Sequence, residues 1–117
     1  MNFKFPKSEK LRLKKDLEKL FSEGSSTFKY PVALRYIRFE GEATNLCAVS
    51  VPKKRFKKAV DRNRIKRQLR EAYRLNKHEI NNNGMYYHLM FVYSVSEKLE
   101  YQIIEKAILK LLKSLNK

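Results

Sequence analysis

The sequence predicts a single-domain α+β sandwich in which helices cover one small β-sheet. Its 117 residues match the usual length of one domain and leave no room for a second. Apolar residues make up 43% and aromatic residues 12% of the chain, more than a disordered basic tail contains. Segments of helical and extended spacing follow one another as helix, strand, strand, helix, strand, helix, which indicates an α+β fold. Residues 1–7 are expected to form a flexible or loosely docked lead segment.

The first helix is predicted from about Lys14 to Glu23. Apolar residues recur at helical spacing as far as Gly24, a residue type that commonly follows the last turn of a helix. This apolar stripe consists of Leu13, Leu17, Leu20 and Phe21. We expect Leu13 and Leu20 to pack on the sheet, and Phe21 to lie more openly at the edge of the helix.

Two strands are predicted after this helix. Residues 28–39 are rich in aromatic and β-branched side chains, and a turn at residues 40–42 ends the run. Residues 44–51 form the second strand, which stops before Pro52. Because the connection between them is short, the two strands are expected to be antiparallel partners.

The single cysteine, Cys47, excludes a disulfide framework and is expected to be a buried thiol in a reducing cytosol.

The second half of the chain contains a long helix, a buried strand and a last helix. The long helix is predicted over residues 58–80, and its apolar face consists of Ile65, Leu69, Ala72 and Tyr73. Its cationic face consists of Lys66, Arg67, Arg70 and Arg74. Residues 85–94 are almost continuously apolar, which is typical of a strand buried on both faces. The last helix, over residues 100–115, carries one apolar stripe of Ile104, Ile108, Leu111, Leu112 and Leu115.

The net charge points to a polyanionic partner. The chain has 27 Lys and Arg against 12 Asp and Glu, a formal charge of +15. Such self-repulsion opposes the compact state, and nucleic acid or an anionic membrane is the usual reason to carry it. The excess is concentrated in residues 53–70, where Asp61 is the single acid. A face that served only solvation would carry Glu interleaved at helical spacing, so phosphate binding is the better interpretation.

Protein-borne catalysis is not predicted, and neither is a protein metal site. The two histidines lie on different elements, His78 at the exposed end of the long helix and His88 in a strand. No nucleophile triad, paired-carboxylate pattern, glycine-rich phosphate loop or metal-ligand spacing is readable.

An aromatic side chain at the edge of the first helix, Phe21, suits stacking on an unpaired base.

A membrane location is disfavoured, and a cytoplasmic protein is expected. No segment approaches the roughly 18 apolar residues of a membrane span, and lysines interrupt the start of the chain where a signal peptide would be apolar. The cationic character of the last helix is also compatible with a membrane-surface helix. Three acids in and before its first turns, Glu97, Glu100 and Glu105, oppose anionic lipid, so a core-covering helix is the better interpretation.

The residues of the long helix carry a family resemblance. The run from Lys57 to Arg74 reads Lys-Lys-Ala-Val-Asp-Arg-Asn-Arg-Ile-Lys-Arg-Gln-Leu-Arg-Glu-Ala-Tyr-Arg and resembles the signature of the bacterial ribonuclease P protein subunit, whose Arg-Asn-Arg motif opens its long helix. The run from Arg12 to Phe21, with Gly24, is similar to the first helix of that family. The remaining elements occur in the family's order, so the resemblance covers the chain from Pro6 onward.

The resemblance implies an accessory subunit of a ribonucleoprotein endoribonuclease that removes the 5′ leader of precursor tRNA. A large RNA would perform the cleavage with bound Mg²⁺, and no obligate protein partner is expected. The implied fold is a small mixed β-sheet covered by about three helices, ribosomal-protein-S5-domain-2-like, with a left-handed βαβ crossover that departs from the usual right-handed rule.

The resemblance also implies two binding surfaces on this chain. The expected contacts to the catalytic RNA are Arg62, Asn63, Arg64, Lys66, Arg67, Arg70 and Arg74. The single-stranded leader would lie in a cleft between the first helix and the sheet, and its expected contacts are Phe21, Leu17, Arg12, Lys53, Lys54 and Lys58. The chain departs from the family at Leu17, where a second aromatic is common, at Lys57, where Gly is common, and at Lys53, where Ser is common.

Two other functional classes share part of this pattern. A general RNA-binding or ribosome-associated basic protein would have the charge and the aromatics, but would show no preference for a leader-bearing tRNA. A stand-alone protein nuclease would cleave RNA without an RNA partner, and the lack of a carboxylate cluster in the sequence argues against it.

Overall fold

The computed structural model describes residues 3–116 and contains three helices and four strands in that range. The helices are α1 (Lys14–Glu23), α2 (Ala59–Asn76) and α3 (Tyr101–Ser114), and the strands are β1 (Ser25–Lys29), β2 (Val32–Glu40), β3 (Leu46–Ser50) and β4 (Met85–Tyr93). Short 3-10 turns occupy Lys7–Glu9 and Lys77–Glu79. The predicted α+β class, with three helices on a small mixed sheet, is confirmed.

The single strand predicted over residues 28–39 is wrong, because this segment is a β-hairpin that starts earlier. β1 pairs with β2 in antiparallel register, with Lys29 opposite Val32. The chain reverses at Tyr30 and Pro31 between them. Proline has no N–H to donate to a strand ladder, so the extended run breaks at Pro31 although the side chains on both sides favour strands.

The predicted antiparallel pairing of residues 28–39 with residues 44–51 is also wrong. The sheet order is β1-β2-β4-β3, so β4 separates β2 from β3. β4 is antiparallel to β2 and parallel to β3, with Cys47 opposite Leu89. The reason is burial: the almost continuously apolar β4 takes the centre of the sheet, where both faces are covered. The parallel pair needs a crossover connection, which α2 supplies, and its hand stays an expectation of the resemblance.

Two helices cover one face of the sheet and one helix covers the other. On the first face the predicted stripes of α2 and α3 are all buried, as is Cys47 at 1% exposure, so these predictions are confirmed. On the second face α1 contributes Leu20 to a smaller cluster with Leu11 and Met90. The expected burial of Leu13 is wrong, since Leu13 is 61% exposed. It precedes the first turn of α1, and Leu11 fills the buried position instead.

The residues before α1 pack against α2 and β3. Met1 and Asn2, which belong to the predicted lead segment, lie outside the described residues. The ring of Phe5 packs on Tyr73 with centroids 5.2 Å apart, and the backbone N–H of Leu11 donates to the Cys47 carbonyl at 3.0 Å. These contacts place residues 5–11 beside β3, where they form one wall of the site. Within residues 3–116, no helix combines the length and apolar character that crossing a membrane requires.

Candidate RNA interface

A cleft of about 420 Å³ lies between α1, the outer edge of β3 and the segment before α1. Three of the six residues predicted to bind a leader line it, namely Arg12, Leu17 and Phe21. Its floor is apolar, and Phe21 is 56% exposed at its rim. An open aromatic ring next to cations suits the stacking of an unpaired base and the binding of its phosphates.

The other three predicted leader contacts lie outside the cleft. Lys53 and Lys54 lie in the turn that follows β3, and Lys58 precedes the first turn of α2. All three are exposed. Ser50, the last residue of β3, lines the cleft, so Lys53 and Lys54 follow the cleft wall within a few residues and extend its positive charge.

The residues that line the cleft without being predicted to do so include Phe5, Lys10 and Arg70. Lys10 forms an isolated parallel bridge with Cys47 at the edge of β3, and its ammonium lies 5.6 Å from the centroid of the Phe5 ring. No spacing in residues 3–12 predicts that this segment adds to the sheet edge. Arg70 was predicted, but as a contact of the catalytic RNA.

The C-terminal end of α1 is held by the sheet beneath it. Arg35 of β2 donates to the carbonyl oxygens of Leu20, Phe21 and Gly24, at 3.2, 2.8 and 3.3 Å from Nη2. The Leu20 carbonyl also accepts the last helical hydrogen bond, from the Gly24 N–H at 3.0 Å. Carbonyls at the end of a helix need donors from outside it, and a cation there also favours the helix dipole. Gly24 has a negative φ of −72°, yet a Cβ at this position would lie 2.3 Å from the Leu20 carbonyl oxygen. Gly24 is therefore required for close approach.

The residues predicted to bind the catalytic RNA occupy α2, and four of them are exposed: Asn63, Arg64, Arg67 and Arg70. Arg62 is half-buried and donates from Nη1 to the carbonyls of Phe56 and Lys57 at 2.9 and 2.8 Å. It therefore fixes the loop that leads into α2. Lys66 is half-buried.

Arg74 differs from the other predicted arginines because its guanidinium is already paired. It forms an ion pair with Glu71, in which Nε donates to Oε2 at 3.2 Å, and Nη1 donates to the Phe3 carbonyl at 2.9 Å. The hydrogen bond from Arg74 lowers the pKa of Glu71. The structure thus ties Arg74 to the lead segment.

The cations of α2 point in three directions because a helix has about 3.6 residues per turn. Arg70 points toward the cleft, which it lines. Arg67 lies about half a turn from the buried row and faces away from the sheet. Arg64 lines a second groove of about 400 Å³ between α2 and the start of α3, beside an ion pair of Lys98 and Asp61 at 3.0 Å. One helix therefore presents positive charge to several sides.

Comparison with known proteins identifies the family. The chain matches the family model described as Ribonuclease P over residues 5–116, which is almost its whole length. The chain belongs to the ribonuclease P protein family. The predicted family is confirmed, and the match starts close to Pro6, where the resemblance in the sequence begins.

Relatives of known name agree with this assignment. The chain is 39% identical over 115 residues to the ribonuclease P protein component of Porphyromonas gingivalis, which covers 92% of this chain and 83% of the relative. It is 36% identical over 108 residues to the ribonuclease P protein component of a Clostridium botulinum strain, covering 92% of this chain and 94% of the relative. The similarity therefore extends over nearly the full length of these family members.

Solved structures of the family share the fold. The RNase P protein from Thermotoga maritima superposes with a TM-score of 0.74 and 28% identity, covering 91% of this chain and 96% of that one. The RNase P protein of Staphylococcus aureus gives a TM-score of 0.72 at 18% identity, covering 93% and 95%, and supports the fold alone.

The two histidines of the chain lie apart, as the sequence predicts. His78 is exposed just beyond α2. His88 lies in β4 with its ring 4.7 Å from that of Phe39 and 6.1 Å from that of Tyr86, and burial lowers its pKa. Within residues 3–116, no three His, Cys, Asp or Glu side chains come together in a way that could hold a metal ion.

Proposed function

We propose that this chain binds the catalytic RNA of ribonuclease P and the 5′ leader of precursor tRNA, and thereby assists removal of the leader. The observation that carries the proposal is that two different RNA-compatible surfaces lie on the same small protein. One is the cationic outer side of α2. The other is the cleft beside α1, which combines an open aromatic ring with an apolar floor and a cationic rim.

The α2 surface suits a folded RNA. Arg64 and Arg67 are exposed one turn apart on the helix, and no ion pair engages either of them within residues 3–116. Guanidinium groups bind phosphate in a bidentate way and also stack on bases. Each neutralised phosphate releases counterions, so the affinity of such a surface falls as salt rises.

The cleft suits a single strand of variable sequence. Phe21 offers a π face that can stack on any base, while Arg12 and Lys10 at the rim suit the backbone phosphates. Leu17 and Met90 supply apolar floor. A leader has no fixed sequence, so binding through stacking and charge is better suited to it than readout of base edges.

Arg70 links the two surfaces. It belongs to the cationic face of α2, yet its side chain lines the cleft. An RNA on α2 and a strand in the cleft would therefore meet at this residue. That arrangement would hold the leader next to the RNA that performs the cleavage.

We assign the chemistry and its Mg²⁺ to the RNA, as the family resemblance implies, and place the reaction in the cytoplasm. The protein's residues would bind and orient the two RNAs. The free thiol of Cys47 fits a reducing compartment.

The test is reconstitution with the catalytic RNA of the same organism. We expect the protein to lower the Mg²⁺ concentration needed to cleave precursor tRNA and to increase affinity for precursor tRNA over mature tRNA. A basic protein of similar charge serves as the control for unspecific stimulation. Equal affinity for both tRNAs in the assembled enzyme, with no change in Mg²⁺ requirement, would favour the alternative of a general RNA-binding or ribosome-associated protein.

A further inference from the structure

A third cationic surface lies on α3 and takes no part in either site described above. Lys106, Lys110 and Lys113 recur at helical spacing on the side of α3 opposite its buried stripe, and all three are exposed. We call these three residues the lysine face. Beside it a groove of about 370 Å³ separates α3 from the end of β1 and is lined by Lys29, Tyr30, Ile103, Lys106, Ala107 and Lys110.

The charge of the lysine face is not neutralised by the protein itself. Glu105 is the single acid within α3, and it turns toward α2, where it accepts hydrogen bonds from Asn76 at 3.1 Å and from Tyr101 at 3.2 Å. Within residues 3–116, none of the three lysine side chains makes an ion pair, hydrogen bond or ring contact. A helix face designed for solvation would pair its lysines with Glu one turn away.

The groove adds apolar surface to this charge. Tyr30 is 52% exposed, and Ile103 lies across the groove from it with its side chain also exposed. The Tyr30 hydroxyl donates to Glu97 at 3.5 Å, and within residues 3–116 no acid lines the groove itself. Lysines around an aromatic and aliphatic floor suit a nucleic acid strand, because the lysines can bind its phosphates and an open ring can stack on a base.

The position of the lysine face indicates which RNA it would meet. α2 and α3 pack side by side on the same face of the sheet and bury their apolar stripes in one cluster. The sides opposite those stripes, with Arg67 on α2 and Lys106 on α3, therefore both face away from the sheet. The leader cleft lies at the β3 edge, whereas the lysine face borders β1 at the opposite edge. An RNA bound to α2 would therefore lie next to the lysine face, whereas a leader in the cleft would lie at the opposite edge of the sheet.

We propose that the lysine face, with the groove beside β1, binds the phosphate backbone of the catalytic RNA and extends the α2 surface across the helical layer. This proposal rests on the proposed function, because it takes α2 as the primary contact of that RNA.

The first test measures affinity for the catalytic RNA, without tRNA, as a function of salt. The variant carries Lys106→Gln, Lys110→Gln and Lys113→Gln, which remove charge from exposed helix positions that accept Gln well. We expect weaker binding and a log–log salt slope smaller in magnitude by about 1 to 2.5, since each lost phosphate contact removes about 0.7 to 0.9.

Two control variants separate local contacts from total charge. The Lys→Arg triple at the same positions keeps the charge and should keep the slope. Lys7→Gln, Lys14→Gln and Lys15→Gln lower the net charge equally at exposed positions outside α3 and should change affinity less than the lysine-face variant. Equal losses in both Gln triples, or no change in the lysine-face triple, would overturn the proposal. The α2 variant Arg64→Ala with Arg67→Ala, measured in parallel, reports on the proposed function separately.

The second test locates the contact directly. Because the native Cys47 is buried, a Lys110→Cys variant can be labelled selectively with an iron chelate that cleaves nearby RNA. We expect cuts in the catalytic RNA within the assembled enzyme. Cuts confined to the tRNA, or an intact RNA when the labelled protein is fully bound, would refute the assignment.

Discussion

Arg35 lies beneath Phe21 and contacts both its ring and its backbone carbonyl. The guanidinium carbon of Arg35 lies 5.7 Å from the centroid of the Phe21 ring, and Nη2 donates to the Phe21 carbonyl at 2.8 Å. The same guanidinium binds the carbonyls of Leu20 and Gly24. One sheet residue therefore ends α1 and sets the direction of the aromatic ring at the rim of the cleft. Arg35 is a positioning residue for Phe21.

We expect Arg35→Ala to weaken both the fold and the cleft. The substitution removes the side-chain hydrogen bonds to the last carbonyls of α1 and a cation–π contact, which should lower the free energy of unfolding by about 1 to 3 kcal/mol. Chemical denaturation checks this value. In the assembled enzyme the affinity for precursor tRNA should fall while that for mature tRNA stays constant.

Arg35→Met is the matched variant for Arg35→Ala, because it keeps much of the side-chain length without the charge. If Arg35→Met restored tRNA discrimination completely, packing alone would be responsible and the hydrogen bonds to α1 would not matter for the cleft. Arg35→Lys, with one cationic group in place of a fork, should fall between wild type and Arg35→Met in stability.

Phe21 and Phe28 form a matched pair for testing the leader contact. Their side chains are 56% and 51% exposed, but only Phe21 lines the cleft. Phe21→Ala should weaken precursor tRNA binding by about 1 to 3 kcal/mol, the usual contribution of a base stacked on an aromatic ring, and leave mature tRNA unaffected. Phe28→Ala should leave both affinities unchanged. A shared loss in the two variants would mean that exposed aromatics act unspecifically.

The sequence predicts the helices of this protein better than its sheet. Apolar periodicity is a local property, so the buried faces of α2 and α3 could be predicted residue by residue. Strand order depends on which strand buries most apolar surface at the centre of the sheet. That comparison involves all the strands, so no local sequence pattern predicts it. The pattern does not predict the hairpin, because side chains that favour strands continue on both sides of Pro31. It predicts the wrong partner for β2, because β4 is more distant in sequence than β3 but is the more apolar strand.

The same distinction applies to the candidate site. Phe21 and Leu17 share a helical stripe, so their place in the cleft follows from the helix. Lys10 and Phe5 reach the cleft only because residues near Leu11 pair with the edge of β3, a long-range contact without a sequence signal. Arg62 shows the opposite case: its charge predicts RNA contact, but the structure uses the side chain to hold the carbonyls before α2.

The outer side of α2 should control assembly independently of substrate. We expect Arg64→Ala combined with Arg67→Ala to weaken binding of the catalytic RNA and to reduce the magnitude of its salt slope by about 1 to 2. Gel-shift titration over a range of salt concentrations checks both. Lys14→Ala with Lys15→Ala removes the same charge from an exposed part of α1 and is the control. Unchanged affinity in the α2 variant would exclude this surface as the primary contact.

The buried thiol of Cys47 should make stability depend on pH in the alkaline range. Burial raises the pKa of Cys47 well above its ordinary value, so the unfolded chain loses the thiol proton first. Stability from this group is therefore complete below the ordinary thiol pKa of about 8.5 and is lost as pH rises toward the folded value. We expect the free energy of unfolding to fall by up to about 1.4 kcal/mol per pH unit from this one group.

Denaturation of wild type and Cys47→Ala across pH 7 to 10 isolates the effect of the thiol. The variant should be less stable at pH 7, because it loses buried apolar volume, but its stability should decline less steeply above about pH 8.5. Burial and then the charge of Cys47 raise the pKa of Tyr73, so the two proteins are compared below the pH at which Tyr73 ionises. Parallel curves for the two proteins would show that the Cys47 thiol is not protected from ionisation by the fold.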